Sequence, residues 1–406
     1  MAINNTKGSA DVNIPLPTAV LRALILLNDA GYEAYIVGGC VRDRLMGKEP
    51  SDWDITTSAL PEQTLDVFSR YRTIHTGVQH GTVTVVIDEM PLEITTYRVD
   101  GAYSDGRHPD AVSFTSLLRE DLRRRDFTVN AMAYHPDGGL VDYFGGRSDI
   151  QQAIIRCVGS PYERFSEDAL RIIRALRFSA VLGFSIEKAT ADAVHRLSST
   201  LSRVSIERIT AEFKRLICGE NAADIMENYT DVVSVFLPEA KGCTEYARLP
   251  QVSPQPHVRL ATLFYDAKIP AETAEKALRR LRLNTQTIRD IKLLVSSCNG
   301  STGLEDSNLL RLLNRMGPEL IFDYLAIIAA DAATVSRVRH LLEKGACYRL
   351  SMLSVQGDDL LSIGIPPGPL LGKWLQTLLY AVMDDVCPND KKALLDYVRT
   401  TKKPVL

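Results

Sequence analysis

A change of hydrophobic period near residue 150 constrains this chain more than any other feature. Before it, helical and strand periods alternate; after Pro161, apolar residues recur at three and four positions and no alternating strand follows. An amphipathic run from Thr18 to Asp29 stops at Gly31. Glu33 to Val37 then reads as a strand, Gly38-Gly39 as a turn, and Val41 to Met46 as a short helix closed by Gly47. Asp52 to Thr56 is a further strand, Pro61 opens a helix, and Thr82 to Ile87 and Leu92 to Arg98 are strands joined by the turn Asp88 to Pro91. Asp100 to Ala111 is too rich in Gly, Pro and Asp for regular structure. The expected architecture is a mixed α/β unit over residues 1-150 and an all-helical extension, with breaks near Pro250 to Pro256 and Asn299 to Gly303.

Composition removes several function classes. With 47 Lys and Arg against 50 Asp and Glu, the formal charge is -3, so the chain is no polycation and any nucleic-acid contact must be local. The seven cysteines include no C-x-x-C pair, which argues against a disulfide framework or zinc ribbon and for a reducing, cytoplasmic setting. The first fifteen residues carry one lysine and no apolar core of a signal peptide, and no apolar run reaches membrane-spanning length. No membrane association is therefore expected. The histidines show no H-x-x-x-H spacing, and His257 with Asp266 forms no H-D dyad of a metal phosphohydrolase.

The chemistry concentrates in two short segments. Asp52 and Asp54 flank Trp53 on the expected strand, so both carboxylates face one way and the indole the other. Such a pair suits Mg²⁺, which takes one or two carboxylates and completes its shell with water and phosphate oxygens. Glu93, on the opposite face from Leu92 and Ile94, is a weaker third candidate. Alone, the triplet is equally compatible with a turn cap and a solvated strand residue. Just upstream, Gly38-Gly39 lets backbone amides approach a phosphate, and Arg42 adds a fixed charge. Together the two segments describe phosphate and divalent metal at one site.

These residues resemble the nucleotidyltransferase head of the polymerase β superfamily, and more narrowly the class II tRNA nucleotidyltransferases (CCA-adding enzymes) and bacterial poly(A) polymerases. Gly38 to Asp43 with Ser51 to Thr57 is similar to the family's first motif, Arg124 to Met132 to its second and Asp142 to Arg147 to its third. Arg164 to Arg171 and Ser205 to Phe213 continue the resemblance, which spans residues 35 to 213. The segment Thr76 to Val85 looks like the tRNA enzymes rather than the poly(A) polymerases, and the loop Asp100 to Ala111 resembles one that CC-only enzymes lack. The resemblance implies a head at 1-150, a helical neck at 151-215 that reads the base, a helical body at 216-300 and a tRNA-binding tail at 301-406.

The run Glu167, Asp168, Arg171, Arg174, Arg177 carries a physical argument of its own. On a helix, Glu167 and Asp168 fall beside Arg171, with Arg174 and Arg177 continuing along the axis. Cytosine and adenine both place an amino donor beside a ring-nitrogen acceptor; uracil and guanine reverse the pattern. An Asp accepting and an Arg donating would admit C and A and strand their own polar groups against U and G. The same spacing also describes an ordinary surface helix laced with ion pairs. With Gly39, Arg42 and Arg125, the residues Asp168, Arg171, Arg174 and Arg177 form the expected nucleotide site, and Glu167, Asp168 and Arg171 its base template. Lys276, Arg279, Arg280 and Arg282 on one later helix suit either RNA backbone or solvent. The expected activity is untemplated, Mg²⁺-dependent addition of C, C and A to the 3′ end of tRNA from CTP and ATP. Poly(A) addition, A-only or CC-only addition, and a tRNA-binding factor with a lapsed head are the alternatives.

Overall fold

The computed structural model describes residues 12–101, 112–243, 245–300, 303–401 and 403–404. The chain divides into two compact units, Met1–Lys241 and Gly242–Leu406. That division falls ahead of the proline-rich segment from Pro250.

In the first unit, the strands and α-helices among the described residues before residue 152 are α1 (Thr18–Asp29), β1 (Ala34–Val37), α2 (Gly39–Leu45), β2 (Asp54–Thr57), α3 (Pro61–Val67), β3 (Arg72–Ile74), β4 (Thr82–Ile87), β5 (Met90–Thr96), β6 (Arg98–Asp100), β7 (Val112–Phe114), α4 (Leu118–Arg123), β8 (Met132–His135), β9 (Gly139–Asp142) and α5 (Gly146–Gln151). Seven of these strands form one mixed sheet in the order β3-β4-β5-β2-β1-β8-β9, with only β2 and β5 parallel. Strands β6 and β7 make a separate two-stranded ribbon.

Alternation decides which face each side chain joins. Val83, Val85 and Ile87 of β4, Leu92 and Ile94 of β5, Ile36 of β1 and Ile55 of β2 point to one face. There they meet Ala19, Val20, Ala23, Leu24 and Leu27 of α1 in the larger core. The opposite face is covered by α4 through Leu118 and Leu122, packed with Val37, Tyr97, Ala133 and Val141. Trp53 belongs to the first face and is buried. Asp54 and Thr56, offset by one residue from Ile55, therefore look toward α4.

Several expectations change here. Strand β2 begins at Asp54, so Asp52 lies in its approach rather than within it. The β4–β5 hairpin is tighter than expected: Ile87 pairs with Met90, leaving Asp88 and Glu89 as a two-residue turn, both with positive φ. The polar loop from Asp100 to Ala111 falls almost wholly outside the described residues. The extension is not all helix either, because β10 (Ile154–Ile155) pairs in parallel with β11 (Ser185–Ile186).

The rest of the first unit is helical: α6 (Pro161–Glu167), α7 (Leu170–Leu182), α8 (Lys188–Leu197), α9 (Ile206–Ile217), α10 (Ala222–Asn228) and α11 (Thr230–Val233). Glu167 to Arg177 do not share one helix as expected. Asp168 is extended (φ -139, ψ 105), ends α6, and accepts the Leu170 amide at 3.0 Å at the start of α7.

The second unit contains α12 (Pro256–Asp266), α13 (Ala271–Arg280), α14 (Thr285–Cys298), α15 (Asp306–Ile327), α16 (Ala332–Glu343), α17 (Gly357–Ser362), α18 (Pro369–Met383) and α19 (Lys391–Thr401). Gly317, at φ 80 and ψ 175 and followed by Pro318, breaks α15 internally. Among the described residues no helix is long and apolar enough to cross a membrane.

Candidate functional site

A cleft of about 560 Å³ in the first unit gathers nearly every site residue named from the sequence. Gly38, Gly39, Arg42, Asp52, Asp54, Arg125, Asp168, Arg171, Arg174 and Arg177 all line it. Glu93 and Glu167 do not line it. Glu93 nevertheless lies opposite Asp54 in the β2–β5 register and on the same sheet face.

The carboxylates sit in contrasting surroundings. Asp52 is exposed and accepts from the Ser51 hydroxyl at 3.1 Å. Asp54 is half-buried, and its carboxyl is pushed up to about 6, first by burial and then by the charge of Asp52. Arg125 pulls the other way, and Glu93 adds a further small rise. A carboxyl raised by burial and by its acidic neighbour is short of positive charge. Among the described residues, however, no group of three or more His, Cys, Asp or Glu is assembled to hold a metal. The pair Asp52 and Asp54 is what the fold brings together.

The glycine turn is shaped around an arginine. Gly38 has φ 84, a conformation that calls for glycine, and a Cβ there would meet Arg125 Nη1 at 2.9 Å and displace the tip of that side chain. The Gly38 amide donates to Met132 O at 3.2 Å. Arg42 is buried rather than projecting freely at the turn. It donates to Asn130 Oδ1 at 2.6 Å and to Asp43 Oδ1 at 2.9 Å, closing the mouth of α2 against the segment just before β8.

The arginines of α7 each have a counter-ion. Arg171 donates to Glu167 Oε2 at 2.6 Å, as its spacing predicts, and also to the carbonyls of Arg164 and Arg124 at 3.1 Å each. Asp168 Oδ2 accepts from Arg208 Nη2 of α9 at 2.8 Å, an ion pair that the sequence spacing with Arg171 did not point to. Arg174 binds Asp126 through Nε at 2.8 Å and approaches Glu212 of α9 at 3.4 Å. Arg177 Nε lies 2.7 Å from Glu212 Oε2, close enough for an ion pair but without hydrogen-bond alignment.

Burial opposes ionisation of Asp126, yet Arg174 and Arg171 outweigh it and hold the carboxyl at about 2. Burial lowers Arg177 to about 10 despite Glu212. Phe178 forms an aromatic floor, with the Arg177 guanidinium 3.8 Å from its centroid and those of Arg42 and Arg174 at 5.3 Å. Asp126, Asn130, Phe178, Arg208, Glu212 and Arg215 were not singled out as site residues from the sequence. For Arg208 and Glu212 a signal existed in the Ser205 to Phe213 segment, but their partners lie about forty residues away.

Comparison with known proteins fits this geometry. Residues 34–156 match the family described as Poly A polymerase head domain. Residues 183–241 match "Probable RNA and SrmB- binding site of polymerase A", and 257–398 match "tRNA nucleotidyltransferase domain 2 putative". With the acidic pair at the start of the central strand of a mixed sheet, the head match defines the class, a nucleotidyltransferase. The CCA-adding enzyme of Leuconostoc mesenteroides is 36% identical over 387 residues, 93% of this chain and 94% of that protein. The crystal structure of the Bacillus stearothermophilus CCA-adding enzyme in complex with CTP superposes with a TM-score of 0.79 at 29% identity, covering 95% of this chain and 98% of that one. The Thermotoga maritima CCA-adding enzyme complexed with tRNA shares the fold, with a TM-score of 0.67 at 20% identity over 95% of this chain and 96% of that one. The chain belongs to the family of CCA-adding enzymes.

Proposed function

We propose that this protein adds C, C and A to the 3′ end of tRNA from CTP and ATP, without a nucleic-acid template. The observation that carries the reading is that Asp52 and Asp54 open into the same cleft as Arg125, Arg171, Arg174 and Arg177. The nearly full-length similarity to named CCA-adding enzymes supports it. The names of relatives crystallised with CTP and with tRNA agree.

Asp52 and Asp54 would hold Mg²⁺. The donor set fits: two hard oxygen ligands lining one cleft, one raised by burial and then by the other's charge, with water and phosphate oxygens to complete the shell. When bound, the divalent ion assists ionisation of the tRNA 3′-hydroxyl and offsets charge on the triphosphate. Arg125, Arg174 and Arg177 would orient that triphosphate so that the hydroxyl meets the α-phosphorus in line. Gly39 would let the chain approach it closely, with Arg42 supporting the turn from behind. Asp168 and Arg171 would present the acceptor and donor that select C and A. For that, Asp168 must turn from Arg208 toward the base, and Glu167 would hold Arg171 in place meanwhile. Glu93 would reinforce the field at Asp54. The finer partition into head, neck, body and tail, and a cytoplasmic setting, belong to this reading.

The test is incubation with tRNA trimmed of its last three nucleotides, Mg²⁺ and each triphosphate singly or combined, followed by sequencing of the ends. The expected result is two C residues with CTP alone and a completed CCA with both triphosphates. A long ladder with ATP alone would make the protein a poly(A) polymerase. Normal turnover by an Asp52→Ala, Asp54→Ala double variant would overturn the metal role.

A further inference from the structure

Asp121 of α4 does not line the cleft, yet two residues that do, Arg124 and Arg125, converge with Thr56 and Arg98 on its fully buried carboxylate. Oδ1 accepts from Arg124 Nε and Nη2 at 3.0 and 2.8 Å, and from the backbone amide of Arg98 at 3.4 Å. Oδ2 accepts from the Thr56 hydroxyl at 3.1 Å and faces Arg125 Nη2 at 3.5 Å. Thr56 stands two residues beyond Asp54 on the same face of β2. Arg98 is the first residue of β6, the root of the β6–β7 ribbon. The carbonyl of Arg124 accepts from Arg171 at 3.1 Å, and Arg125 is the guanidinium that Gly38 makes room for beside Asp54.

The Arg124 and Arg125 guanidinium groups and the Arg98 amide can only donate, while the Thr56 hydroxyl donates here and could also accept. A carboxylate answers all four, whereas an amide would lose the charge-assisted contacts and turn its N–H groups toward Thr56 and the Arg125 guanidinium. Burial works against ionisation of Asp121, but Arg124 and Arg125 outweigh it and hold the carboxyl below the usual carboxylate range.

We propose that Asp121 is a positioning residue for nucleotide binding, fixing Arg125 against Asp54 and tying the root of the β6–β7 ribbon to the same anchor. The inference rests on the reading of the cleft as a nucleotidyltransferase site. Asp121 touches neither substrate nor metal in this scheme and acts through Arg125.

The test is a double-mutant cycle on full-length protein with trimmed tRNA, reading KM for CTP and kcat separately and the thermal midpoint alongside. Asp121→Asn is expected to lower kcat/KM by up to about 10²-fold, mainly through KM, since misplacing a positioning group can have an effect of that size. Arg125→Ala alone should lower it too, and the double variant should fall no further than the larger single effect. Multiplying effects would overturn the proposal, as would a lower midpoint with KM and kcat unchanged for the folded fraction. Should Asp121→Asn fail to fold, Asp121→Glu keeps the charge and shifts it by one methylene; a raised KM supports the proposal and an unchanged one overturns it. Failure of both variants to fold would make Asp121 a folding residue and overturn it as well. A wild-type chain that extends no tRNA ends the functional reading itself, whereas an extending chain with a multiplicative cycle ends only the role given to Asp121.

Discussion

Replacing Asp54 by Asn should make the metal-free protein more stable while removing its activity. The carboxyl is pushed from 3.8 to about 6 by burial and by Asp52, so its charged form is disfavoured in the folded state. Between those two values the folded protein keeps a proton that the unfolded chain has released, and stability therefore falls as pH rises through this window. A rise of about two units corresponds to ~3 kcal/mol at full ionisation, an upper figure for a half-buried group. For a unit of this size that amounts to roughly 5–10 °C in melting temperature. The protein offers a clean reporter, because its two tryptophans are both buried and divided between the units, Trp53 in the first and Trp374 in the second. On a Trp374→Phe background, Trp53 fluorescence follows the first unit alone. With EDTA present, the Asp54→Asn protein and its parent should melt together near pH 4 and separate by pH 8, the variant higher. Adding Mg²⁺ should then raise the parent and leave the variant unmoved. Parallel pH profiles for the two proteins would refute the claim that Asp54 is held uncomfortably charged.

Three further outcomes are expected. Glu212→Ala would leave Arg177 and part of Arg174 without their carboxylate in a buried setting, lowering stability by ~3–5 kcal/mol in urea denaturation; a loss below ~1 kcal/mol would contradict the pairing. Asp168→Ala should raise UTP incorporation relative to CTP in a competition assay, and unchanged discrimination would remove Asp168 from base selection. Gly146→Ala would drive a Cβ into the Thr128 carbonyl and Met132 side chain, with a loss of ~1–3 kcal/mol measurable by calorimetry; an unaltered midpoint would show that α5 can shift away.

What could be read in advance follows the range of the interaction. Strands β4 and β5 were legible because Val83, Val85, Ile87, Leu92 and Ile94 alternate with residues outside the core, and the same parity set Trp53 against Asp54. The break between α6 and α7 was not, since Glu167 to Arg177 contains neither Gly nor Pro and keeps a helical spacing of charge. The one local cue was an Asp ahead of an apolar run, the composition of an N-cap. Strands of two residues such as β10 and β11 carry no period to detect. The pairings Arg174 with Asp126 and Asp168 with Arg208 join segments more than thirty-five residues apart, and only tertiary packing, of α7 against the segment after α4 and of the α6–α7 break against α9, brings them together.

The arginine-rich cleft is close to electrically even-handed. Eight arginines line it, facing the five aspartates that share the lining, and Asp121, Glu167 and Glu212 stand immediately behind. An incoming polyanion thus trades places with carboxylates already engaged and finds no reservoir of unmatched positive charge. A bare phosphate should be held loosely, and a triphosphate should arrive best when its own cations accompany it. Nucleotide capture would then be far less sensitive to ionic strength than the grip on a long RNA backbone.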